Sequence, residues 1–202
     1  MNEDKSAYDS NERFMSYWHQ INEVFLLNPR KVLEVGTGKG FLAQYLRARG
    51  LDVTTLDIDG RANPDYIGSV LKIPFTDKLF EVVACFEVLE HLPYECLEKA
   101  LREMQRVSSA YLVLSLPDVG RAYRLNVQFP RLGEIKRLIT LPRLKRALHV
   151  FKDGHYWEIG KYGYPLKRVL EDIRKTGLKV LKTYKAYEIP YHRFFVLRRQ
   201  GS

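Results

Sequence analysis

The residues best suited to chemistry begin with a short stretch, Glu34-Val35-Gly36-Thr37-Gly38-Lys39-Gly40. Glycine tolerates backbone angles that other residues avoid, and it lets the chain approach a ligand closely. Here the glycines are spaced G-x-G-x-G, whereas a dinucleotide loop spaces them G-x-G-x-x-G to cradle a pyrophosphate. Glu34, two residues ahead of the first glycine, would repel a pyrophosphate. It suits a cationic ligand that carries an amino group. Asp57 follows Gly40 by 17 residues. A carboxylate at that distance can accept both hydroxyls of a ribose. Together these residues point to a cationic nucleoside and disfavour a nicotinamide dinucleotide.

A second group is built for acid, base or metal chemistry. Glu87, Glu90 and His91 form E-x-x-E-H, an oxygen and nitrogen set able to hold a hard or borderline divalent cation. Of the five histidines, His19, His91, His149, His155 and His192, His155 is the first candidate for a general base, because it closes a long insertion of the kind that covers a substrate. His91 comes second. The candidate catalytic residues are therefore His155, His91 and Glu87. The alternative metal set is Glu87, Glu90 and His91.

These groups need a scaffold, and the apolar pattern supplies one. Residues 8–28 read as an N-terminal helix ended by Asn28-Pro29. Lys31 to Val35 reads as a strand, and the glycine loop opens a helix at Phe41. Strands follow at Leu51 to Ile58, Tyr66-Ile67, Phe80 to Phe86 and Ala110 to Leu116, with a helix from Pro93 to Arg106. Pro165 to Lys175 reads as a helix. Leu178 to Ile189 and His192 to Arg198 read as two strands joined by a turn at Pro190. Strand and helix alternate, which means an α/β doubly wound sheet of seven strands, mostly parallel, with an antiparallel last strand. The expected organisation is one domain over 1–202, with an insertion or lid at 118–164.

The motifs resemble those of the class I S-adenosylmethionine-dependent methyltransferases, most of all the type 11 kind. Val32 to Gly40 is similar to that family's first motif and Leu56-Asp57-Ile58 to its second. Ile73-Pro74-Phe75 with Phe80-Glu81-Val82-Val83, and Val88-Leu89-Glu90-His91-Leu92, resemble its later stretches. The matches run in the family's order from residue 31 to about 117. The resemblance implies S-adenosylmethionine as cofactor. Glu34 would face its methionine end, and Gly36, Thr37, Gly38 and Gly40 would pack under it. Asp57 would hold the ribose, Ile58 would lie on the adenine, and Phe86 would line the pocket. The stretch Gly68-Ser69-Val70 departs from the family: many members have an aspartate where Ser69 stands. Serine can accept a hydrogen bond there without charge. The E-x-x-E-H set is similar to metal-assisted O-methyltransferases of the ubiquinone-pathway and small-RNA types, in which a further histidine, here His155, would complete the site.

Composition bounds the rest. The 202 residues carry a net charge of +9, and nine Lys or Arg face only two acids between Asp118 and Lys152. Within that segment, Arg131 to Ile139 and Leu141 to Leu148 read as two short basic amphipathic helices, making the insertion helical. Such a segment at 121–152 attracts an anionic acceptor or a membrane surface. The expected acceptor is a small molecule or glycan or lipid-linked compound, methylated at oxygen. RNA is the lesser alternative, since no RNA-binding motif of stacked aromatics is present. A cofactor-binding module without turnover is the other. No apolar run reaches the roughly 20 residues of a membrane span. The two cysteines, Cys85 and Cys96, lack metal spacing. Cys85 reads as a core residue, and the setting as cytoplasmic.

Overall fold

The computed structural model describes residues 10–131, 133–141 and 147–200. Helix α1 (Asn11–Leu26) starts at Ser10, whose side chain accepts the Arg13 amide. Strand β1 (Lys31–Val35) leads through the glycine loop into α2 (Phe41–Ala48), then β2 (Asp52–Asp57) and the short β3 (Tyr66–Ile67). Strand β4 (Phe80–Phe86), helix α3 (Leu97–Val107) and β5 (Ser108–Pro117) follow. After β5 come β6 (Ala122–Phe129) and β7 (Gly133–Thr140), then α4 (Leu166–Lys175), β8 (Leu178–Lys185) and β9 (His192–Arg199).

Seven strands form one sheet in the order β3-β2-β1-β4-β5-β9-β8. All neighbours pair in parallel except those of β9, which runs antiparallel to both β5 and β8. The central strands are buried on both faces. Leu33, Val35, Val83, Cys85, Leu112 and Leu114 point into the core that packs on α3 and α4. Val32, Val82, Ala84 and Val113 point the other way, against α2 and Val24 of α1. Cys85 is 1% exposed and burial pushes its thiol up, so it is an inert core residue. The strand order reverses at β1 and β4, where open α/β sheets carry their ligand crevice. The glycine loop leaves β1 and Glu87 leaves β4 at that point.

The helical reading of the insertion is corrected. Gly133–Thr140 is strand, paired antiparallel with Ala122–Phe129 in a separate two-stranded sheet. Gly133 has a φ of +91°, unsuited to a helix. Cross-strand pairs Tyr123↔Ile139 and Val127↔Ile135 align the apolar side chains on one face. That period of two outweighs the helical spacing. The second expected helix, at 141–148, has residues 142–146 outside the described ones, and Leu141, Ala147 and Leu148 are not helical. Among the described residues no helix is long and apolar enough to cross a membrane.

Candidate active site

Gly36 adopts a φ of +84°, and a Cβ there would lie 2.2 Å from Val88 Cγ2. Only glycine lets the loop press against the exit of β4. Asp57, ending β2, braces the same loop: its Oδ2 accepts from the amides of Thr37 (2.8 Å) and Gly38 (3.4 Å), and Oδ1 accepts from Asp59 (2.9 Å). A carboxylate has about four acceptor positions, so capacity remains for a ligand hydroxyl.

Glu34 works from beneath. Gly40 precedes α2 and has no side chain to cap it. The buried Glu34 carboxylate lies under the first turn instead, near enough to the Ala43 amide for that dipole to favour its charge against the larger effect of burial. Burial raises its pKa to about 8, and Oε2 has no hydrogen-bond partner among the described residues. Thr37 Oγ1 is buried and unpartnered in the same way. At the rim, Ile58 is 75% exposed, an apolar surface beside Asp57. Ser69 accepts from the Leu71 amide and closes a turn to Lys72, while Val70 is buried behind it. Phe86 ends β4 with its ring 6.1 Å from Phe194. The loop residues, Thr37 and Asp57 thus meet directly. Ser69 has its hydroxyl engaged in a local turn.

The second cluster sits across the crevice. Glu87 has a φ of +51°, a left-handed conformation that is uncommon for a residue with a side chain. The turn Leu89–His91 then folds Glu90 inward to full burial. Neither Glu90 carboxylate oxygen has a hydrogen-bond partner among the described residues. Burial and the neighbouring Glu87 carboxylate hold Glu90 well above the usual carboxylate range, and burial raises Glu87 to about 7.

Two histidines complete the cluster. His91 Nδ1 lies 3.1 Å from the Gly154 carbonyl, and a carbonyl can only accept, so Nδ1 carries the proton. His155 Nδ1 lies 3.2 Å from Glu158 Oε1. The two rings stand 4.9 Å apart, edge to face. Gly154, at φ +82°, brings the turn onto His91 so closely that a Cβ would lie 2.9 Å from Nδ1. With Nδ1 anchored on each ring, Nε2 is left to meet a ligand. One ligand atom from each of Glu90, His91 and His155 falls within 4.8 Å of the others.

Several partners were not singled out from the sequence. Glu158 accepts the Tyr191 hydroxyl and lies 3.6 Å from Lys161. His192 lies 2.9 Å from Ser16 Oγ and 3.7 Å from Glu87, and burial lowers its pKa to about 4. The spacing of His155 and Glu158 is a visible signal; the approach of Tyr191 and His192 is not. His149 supports the His155 carbonyl, and His19 joins Tyr184 and Glu188 instead.

A reversed seven-stranded sheet, a glycine loop after β1 and an acid ending β2 define a Rossmann-like methyltransferase fold. Residues 9–160 match the family model for the methyltransferase domain, and the chain belongs to the class I S-adenosylmethionine-dependent methyltransferases. Among curated relatives, it is 29% identical over 94 residues to the ubiquinone biosynthesis O-methyltransferase of Rickettsia felis, covering 40% of this chain and 36% of that protein. It is 29% identical over 110 residues to the protein of that name from Nitrosomonas europaea, covering 43% and 46%. The matched part is thus under half the length of each relative. Solved structures share the fold. A magnesium protoporphyrin IX methyltransferase of Synechocystis with bound SAM has a TM-score of 0.62 at 15% identity, over 99% of this chain and 86% of that one. A S-adenosylmethionine-dependent methyltransferase from Clostridium acetobutylicum has 0.65 at 10%, over 97% of both.

The residues present fit both groups. The unpartnered Glu34 and Thr37 oxygens, the Asp57 carboxylate and the exposed Ile58 suit a cationic nucleoside. The unpartnered Glu90 oxygens, with His91 and His155, suit a divalent cation; Glu87, expected in that set, is not among the ligand atoms that gather and lies 3.7 Å from His192 instead.

Proposed function

We propose that the chain transfers the methyl group of S-adenosylmethionine to a hydroxyl of a small acceptor, as the ubiquinone biosynthesis O-methyltransferases do by name. The observation that carries the reading is the meeting of Glu90, His91 and His155 just past the exit of β4, next to the Val88 against which Gly36 presses. Methyl transfer from a sulfonium is an in-line displacement, so much of the rate comes from holding donor and acceptor in line. The Gly36 loop and Asp57 fix the donor's nucleoside. Glu158 orients the His155 ring, and Glu87, whose carboxyl burial raises to about 7, is the proton-accepting residue. Glu90, His91 and His155 would hold a divalent cation. That cation would supply Lewis acidity toward the acceptor hydroxyl.

The basic segment 121–152 favours an anionic acceptor or an anionic surface close by. The test incubates purified protein with S-adenosylmethionine labelled in its methyl group and hydroxylated small molecules, with chelator or with added divalent cation. Label entering a hydroxylated product, lost with chelator and restored by cation, is the expected result. Label transferred equally in chelator refutes the metal part. Absence of any labelled hydroxyl product refutes the acceptor class.

A further inference from the structure

We propose that the β6–β7 hairpin docks one face on an anionic lipid bilayer. Strand pairing places Tyr123, Leu125, Val127 and Phe129 beside Ile135 and Ile139 on a single face. Each of these six is between 36% and 53% exposed. Val150 and Phe151, further along the insertion, are more exposed still. Arg137 stands opposite Leu125 on the same face, so one cation is set among the apolar side chains; an exposed apolar surface of this kind marks an interaction site. A two-stranded hairpin is also marginal without a partner for its apolar face.

Among the described residues the body of the protein is not that partner. It holds the hairpin through polar groups: the Arg124 guanidinium donates to the Glu188 carbonyl, and the Tyr187 hydroxyl donates to the Leu125 carbonyl. Those contacts involve the backbone and the opposite face, and the apolar side chains remain in water.

Charge selects the occupant. The segment from Asp118 to Lys152 has nine basic residues against two acids. Arg121, Arg124, Arg131 and Arg137 have no carboxylate within 4.0 Å among the described residues, while Lys136 pairs with Glu134. Two copies joined through this face would bring two cationic surfaces together and repel. An anionic bilayer satisfies both features: its acyl boundary takes the apolar side chains and its headgroups take the arginines. The surface lies in the insertion after β5, outside the cofactor and acceptor clusters, so it is testable apart from methyl transfer.

The experiment is co-sedimentation of the full chain with vesicles of phosphatidylcholine, with and without phosphatidylglycerol. Retention is expected on the phosphatidylglycerol vesicles and not on phosphatidylcholine alone. It should weaken as salt rises from about 0.1 M to about 1 M, where the screening length falls from about 10 Å to about 3 Å. Leu125→Asp with Phe129→Asp should lower retention by about tenfold or more. Arg131→Glu with Arg137→Glu, whose side chains pack in no core, should lower it independently if the first pair disturbs folding, as read by thermal unfolding. Equal retention on the two vesicle types overturns the proposal. So does retention unchanged in both variants, or loss of a concentration-dependent dimer in the variants without a change on vesicles.

Discussion

Glu158 Oε1 lies 3.2 Å from His155 Nδ1 and also accepts the Tyr191 hydroxyl. The carboxylate therefore fixes the ring orientation through Nδ1 and leaves Nε2 outside that contact. The Tyr191 and His155 bonds, against opposing burial, hold Glu158 below the usual carboxylate range. Glu158→Gln keeps the shape but weakens the anchoring of Nδ1. Removal of such an orienting partner costs about 10- to 100-fold in metal affinity or activity. We expect that loss in kcat and in calorimetric cation affinity, with S-adenosylmethionine affinity unchanged. An unaltered kcat would exclude the orienting role.

Asp57 braces the glycine loop and is the residue we propose for the ribose hydroxyls. Hydrogen bonds to a charged group contribute about 1.5–3 kcal/mol each. Asp57→Ala should therefore weaken S-adenosylmethionine binding by at least about tenfold in calorimetry. Unchanged affinity would remove Asp57 from the cofactor site.

Glu34 links stability to pH. Burial raises its folded pKa from 4.5 to about 8, so the folded state keeps a proton that the unfolded state releases between those values. Below the unfolded pKa both states are protonated and the group costs nothing. As pH rises toward about 8 the ligand-free protein loses stability, on the order of a few kcal/mol from this group. Glu34→Gln should remove that slope relative to the parent in thermal unfolding. A slope identical in parent and variant would contradict the assignment.

Asp118 secures the root of the insertion. Its buried carboxylate lies 3.2 Å from Lys185 Nζ and 2.6 Å from Arg193 Nε. Asp118→Asn removes a carboxylate shared by two buried cations, and breaking a buried pair of this kind costs about 3–5 kcal/mol. Urea unfolding should show a loss of that order. A change below about 1 kcal/mol would mean that solvent reaches the pair and screens it.

Much of the site was legible because its signals are local. Lys31–Val35 and Phe80–Phe86 are short apolar strands whose ends are marked by the residues that follow them. Gly36 must be glycine because Val88 leaves no space, and the spacing of Gly36, Gly38 and Gly40 records that need in the chain. Asp57 ends its strand in the expected place. Glu34 was legible as an unusual acid, but its task was not: its contact with Ala43 depends on how α2 packs over β1.

The hairpin shows where local reading stops. Ile135, Leu138 and Ile139 satisfy a helical spacing and also a strand pairing. The partner strand Ala122–Phe129 decides between them by aligning its own apolar alternation. Sequence by itself thus determined the sheet, the glycine loop and the position of the acids beside it, because short-range apolar periodicity and glycine spacing encode them. Only the tertiary structure set His155 against Glu158 and Tyr191, turned His192 toward Glu87, and left the hairpin's apolar face in water. Those relations join distant segments, and packing of the sheet and insertion brings them together.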